Sequence, residues 1–126
     1  MAYIYANPNP KNKIVDDCVI RALSLALGKS WDEIHYALAK QSYFDKDIMN
    51  ANSVWGKYLN GIGIERHNLP DNCPLCYSVR QFTTDHPKGV YIAATGAHVV
   101  AVIDGDYYDT FDSGDYVPIY YFFVED

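Results

Sequence analysis

The chain has 126 residues, about half of them hydrophobic and a fifth charged, a composition that suits one globular domain with its own core. The net charge of −6 lies in the C-terminal part: the last basic residue is Lys88, and Asp104, Asp106, Asp109, Asp112, Asp115, Glu125 and Asp126 follow it. That balance disfavours nucleic-acid binding, which needs clustered Lys and Arg, and leaves solvated turn aspartates or a surface for a basic partner. Nothing approaches an 18-residue apolar run, so no membrane span is expected. Residues 1–10 lack a basic segment followed by an apolar core, so no secretory signal is read, and a cytoplasmic location is expected. Three cysteines, an odd number, do not make a disulfide framework, and the thiols are expected to be reduced.

Val19, Ile20, Leu23, Ala26 and Leu27 recur at helical spacing and Gly28 supplies the stop, which predicts a first helix from about Asp17 to Leu27. Ser30-Trp31-Asp32-Glu33 is a capping box and starts a second helix carrying Ile34, Ala37 and Leu38 on one face. A third helix is read over Ala51 to Leu59, a short edge strand at Ile62-Gly63-Ile64, and one helical turn over Ser78 to Phe82. Past Gly89 the period becomes two. Strands are predicted at Val90–Ala94 and Ala97–Ile103, then a hairpin turn at Asp104-Gly105, a strand from Asp106 to Phe111, and a last one from Val117 to Phe123 placed at an edge by Pro118. The class is α+β: N-terminal helices packed on a C-terminal antiparallel sheet, a meander in one domain covering 1–126.

Cys18 carries the chemical signal. A helix start favours a thiolate through its unpaired N–H groups and dipole. Such a nucleophile needs a base, and His98, after the small residues Gly96 and Ala97, opens the most apolar strand of the chain. A third group must hold the other imidazole nitrogen. If the turn at Asp104-Gly105-Asp106 takes three residues, position 98 faces Asp112; a two-residue turn puts Phe111 opposite and Asp109 on the face of His98. Asp112 is the preferred orienting carboxylate, with Asp109 the alternative. Asn12, six residues before Cys18, is a candidate oxyanion donor or an ordinary turn residue. Arg21 is read as a helix-surface salt bridge to a carboxylate such as Asp17.

These segments resemble the papain-like cysteine peptidases, and among them the C39-like group and small phage- and prophage-encoded proteins. The resemblance rests on Asn12, Asp17-Cys18-Val19-Ile20-Arg21-Ala22-Leu23, Gly28 to Glu33, Gly96-Ala97-His98 through Gly105, and Tyr108-Asp109-Thr110-Phe111-Asp112-Ser113. It implies a helical half on an antiparallel sheet, the site at their seam, and a cysteine hydrolase acting on a peptide, isopeptide or related amide, with a peptide or protein as substrate. In that family a Gln six residues before the nucleophile completes the oxyanion hole, which favours Asn12, although Asn is one methylene shorter. An even histidine-to-aspartate spacing across the hairpin, fourteen here, favours Asp112. Two other readings stand beside the hydrolase: an inactive papain-like binding module, such as a phage protein that blocks a host factor, and an acyltransferase of the same fold.

Other constellations are weaker. Cys73-Pro74-Leu75-Cys76 with His67 and His86 has irregular spacing for zinc and lacks the context of a thioredoxin-like motif, and the aspartates from Asp104 to Asp115 do not follow a calcium-loop pattern, so no metal or cofactor is expected. The segments Tyr43–Ser53 and Asn68–Tyr77 are the expected contributors to specificity. Of twelve tyrosines, six follow residue 90 and are read as half-buried sheet residues.

Overall fold

The computed structural model describes residues 2–69 and 77–126. In chain order the elements are β1 (Tyr3–Tyr5), α1 (Cys18–Leu27), α2 (Trp31–Asp45), α3 (Asn52–Gly61), β2 (Arg66–Asn68), α4 (Val79–Asp85), β3 (Val90–Ala94), β4 (Val99–Ile103), β5 (Asp106–Asp109) and β6 (Tyr120–Glu125). They form a mixed α+β structure with one six-stranded sheet in the order β1-β5-β4-β3-β6-β2.

The local signals act as their chemistry requires. Gly28 ends α1 in the left-handed region at φ 66°, where a side chain would be strained. Ser30 Oγ accepts from Glu33 N while the Glu33 carboxylate accepts from Ser30 N, so α2 opens on a complete capping box. A second box, Ser78 with Gln81, extends α4 to seven residues where the sequence suggested a single turn.

Alternation along the strands builds two cores. Ile92, Ala94, Val99, Ala101, Tyr120 and Phe122 face α1, α2 and α3, whose Leu23, Ile34, Leu38, Trp55 and Leu59 are fully buried against them. Ala93, Val100, Val102 and Tyr107 face the other way, onto Val79 and Phe82 of α4. Being covered on both faces, β4 needs an unbroken apolar run, and that is what Val99–Ile103 supplies.

Several strand expectations are corrected. Ile62 to Ile64 is no strand, since Gly63 at φ 88° turns the chain; the strand begins at Arg66 and pairs antiparallel with β6. Pro118 precedes β6, which lies between β3 and β2 and is not an edge. The three residues of β1 pair parallel with β5, so the sheet is not a pure meander. The β4–β5 hairpin pairs Ile103 with Asp106, Val102 with Tyr107 and Ala101 with Tyr108, across a two-residue turn with Asp104 at φ 49° and Gly105 at φ 82°.

Trp55 ties the helical layer to the sheet, its ring 6.0 Å from that of Tyr120 and 5.4 Å from that of Phe122, with Nε1–H donating to Asn52 Oδ1 at 3.1 Å. Trp55→Ala is expected to lower unfolding free energy by about 3–5 kcal/mol in a urea titration, as for other fully buried aromatic truncations.

Candidate active site

Cys18 is the first residue of α1, behind the N-cap Asp17. No side chain caps this turn, because the Asp17 carboxylate is engaged elsewhere, and the Cys18 N–H is left without an acceptor among the described residues. The nucleophile candidate and a free N–H at the positive end of a helix therefore occupy one position.

His98 is set by the connection between β3 and β4. Thr95 Oγ1 accepts from the N–H groups of Ala97 and His98 at 3.1 and 2.8 Å, and Thr95 N–H donates to His98 O at 2.8 Å. This closed turn delivers the imidazole just before β4 begins. Its Nε2 donates to Asp109 Oδ2 at 2.6 Å, which leaves Nδ1 free of the carboxylate, and the Cys18 thiol is near enough to the ring to raise its pKa. The side chain is only 11% exposed.

Asp109, at the end of β5, is buried and saturated. Ser113 Oγ donates to its Oδ2 at 2.8 Å, Thr110 N–H to its Oδ1 at 2.8 Å, and Arg21 Nη2 to its Oδ1 at 3.1 Å. Arg21 is itself 5% exposed, which corrects the expectation of a surface pair. Its Nη1 contacts Asp17 Oδ1 and donates to Val15 O at 3.3 Å. The other Asp17 oxygen accepts from Trp31 Nε1 at 2.9 Å and Asn9 Nδ2 at 3.3 Å. A continuous hydrogen-bonded network thus runs from Trp31 and Asn9 through Asp17, Arg21 and Asp109 to His98. With His98 protonated, two carboxylates meet two cations, the arrangement that makes such burial tolerable.

Burial alone would lower the His98 pKa, but the hydrogen bonds and charges of Asp109 and Cys18 outweigh it and raise it from 6.5 to about 9. Asp109 moves the other way: burial, which would raise it, is outweighed by His98, Ser113 and Thr110, and its carboxyl titrates below the usual carboxylate range.

Beside Cys18 opens a cleft of about 440 Å³ between the start of α1, the α2–α3 connection and the β3–β4 turn, lined among others by Asp16, Leu38, Ile48, Met49, Asn50, Asn52, Gly96, Ala97 and Val99. Its α2–α3 wall falls inside the segment Tyr43–Ser53 singled out from the sequence. Most of Asn68–Tyr77 lies outside the described residues, as do Cys73 and Cys76.

Two site expectations differ from the structure. Asp112 does not face His98: the two-residue turn puts position 98 opposite 111 when the register is extended, and the exposed Asp112 carboxylate instead accepts from Tyr107 Oη at 2.5 Å and Gly114 N at 3.0 Å. Asp109 takes the place beside the imidazole. Asn12 is an exposed turn residue at φ 56°, its N–H donating to Asn9 O at 2.9 Å, and is not among the residues lining the cleft. Asn9 and Trp31, which hold Asp17, went unrecognised; no spacing rule marks them. Asn52 also escaped notice; its Oδ1 accepts from Trp55 and its Nδ2 reaches Gly96 O at 3.5 Å across the cleft. His67 stacks on Tyr121 and His86 on Phe82, and among the described residues no three His, Cys, Asp or Glu side chains are grouped to hold a metal. No described helix is long and apolar enough to cross a membrane.

No family model, curated protein or solved structure matches the chain.

Arg21→Met strands two buried carboxylates and is expected to cost about 3–5 kcal/mol of stability in urea unfolding. Because the folded His98 pKa is raised, its stabilising contribution is complete below pH 6.5 and lost as pH rises through about 9. Unfolding midpoints taken across that window should fall with pH in the wild type, and the slope should flatten in His98→Gln.

Proposed function

We propose that this chain is a papain-like cysteine hydrolase that cleaves a peptide, isopeptide or related amide through a thioacyl intermediate. The observation that carries the reading is His98, held by Asp109 at one ring nitrogen and near enough to the Cys18 thiol for that group to raise its pKa. The papain-like assignment is supported by the order of parts: a cysteine opening a helix, then a histidine just before one strand and an aspartate at the end of the antiparallel strand paired with it, the sheet packed against that helix.

In this mechanism the proton of the Cys18–His98 pair already rests on the imidazole, and the Cys18 sulfur adds to the substrate carbonyl. The resulting oxyanion is received by the Cys18 N–H at the start of α1; with Asn12 exposed, backbone groups carry this role. The imidazolium protonates the leaving amine, the C–N bond breaks, and a water deprotonated by His98 then releases the acid and restores the Cys18–His98 pair with its proton on the imidazole. Asp109 orients the ring and stabilises the imidazolium, and Arg21 holds Asp109 in place.

Alkylation tests the reading without knowledge of the substrate. Near pH 6, where ordinary thiols are mostly protonated, iodoacetamide is expected to label Cys18 about a hundredfold faster than Cys73 or Cys76. His98→Ala and Asp109→Asn should remove most of that advantage, while Asp112→Asn should keep it. Equal labelling of the three thiols, or an advantage indifferent to His98, favours an inactive binding module.

A further inference from the structure

The ring of His98 has two aromatic neighbours that the catalytic scheme does not use. Phe111 and Tyr116 each lie with ring centroids 5.1 Å from the imidazole and 5.8 Å from each other, a closed triangle of rings. Both remain open to solvent, 41% and 43% exposed, although rings of this size gain most when covered. They are also fixed. Tyr116 N–H donates to Ser113 O at 3.1 Å and its carbonyl accepts from Val79 N at 2.8 Å, while Phe111 follows two residues after Asp109, which is held by His98, Ser113 and Arg21. Neither lines the cleft beside Cys18, so they form a second surface on the histidine side of the nucleophile.

The leaving amine departs towards the group that protonates it, which is His98. We propose that Phe111 and Tyr116 form the leaving-group subsite, and that the substrate carries an aromatic or large aliphatic side chain on the residue whose nitrogen is released. This inference rests on the cysteine-hydrolase reading and specifies the substrate side that the cleft does not. Each ring offers one preordered apolar face, so binding such a side chain orders little that is not already held.

The same subsite must receive an amine attacking the acyl-enzyme, because that step is the reverse of amide cleavage. Para-nitrophenyl acetate supplies the acyl group: Cys18 sulfur bonds to the acetyl carbon as p-nitrophenolate leaves. An added amine then forms the N–C bond, the C–S bond breaks, and the amine's proton passes through His98 to restore the thiol. With phenylalaninamide, leucinamide and glycinamide in competition, the acetylated products should favour the first two over glycinamide by roughly tenfold. The ratio is internal to each sample, so it is independent of how fast a variant is acylated. Phe111→Ala and Tyr116→Ala should each bring it towards unity, and the milder Phe111→Leu should keep the leucinamide preference.

Acetylation of Cys18 with equal use of the three amides overturns the subsite while leaving the hydrolase reading intact. A preference unchanged in both alanine variants overturns it as well. Failure of Cys18 to acetylate any faster than Cys73 and Cys76 overturns the hydrolase reading and the subsite with it.

Discussion

The buried ion pair between Arg21 and Asp109 is the constraint on which the rest of the site depends. It joins one turn of α1 to the end of β5, 88 positions apart, and the two residues that open α1 answer to it: Asp17 through the guanidinium, Cys18 through His98. Neither carboxylate could remain charged in this interior alone, and the guanidinium could not be buried without them. The charge balance is completed by a protonated imidazole, so the same arrangement that stabilises the interior also favours the imidazolium that the proposed amide cleavage requires.

The fold serves this pair by bringing three remote segments together. Helix α1 packs across β4, the Thr95 turn presents His98 at the start of that strand, and the tight Asp104-Gly105 hairpin returns β5 so that Asp109 arrives beside the ring. A hairpin turn one residue longer would shift every β5 side chain to the opposite face. Site geometry is therefore set as much by the turn's left-handed residues as by Cys18, His98 and Asp109 themselves.

What could be read in the sequence was what is decided locally. Helix α1 with its glycine stop, the capping box of α2 and the Asp104-Gly105 turn depend on neighbours a few residues away, and Cys18 and His98 stood out because each sits at the start of a clear element. The choice between Asp109 and Asp112 depended on turn length, which a strand of alternating residues does not reveal, and it went the other way. Arg21 looked like a surface residue because its second partner is distant in the chain. Strand β1 is three residues long and acquires its structure only from pairing with β5. Asn12 shared its spacing with a family feature, but the turn from Asn9 leaves it exposed.

The most direct test of the central claim is an NMR titration of the His98 ring nitrogens in the folded protein, with and without Asp109→Asn. The network requires a wild-type imidazole that stays protonated until about pH 9 and reverts towards the ordinary 6.5 when the carboxylate is replaced. A wild-type His98 that titrates near 6.5 and ignores the substitution would contradict it.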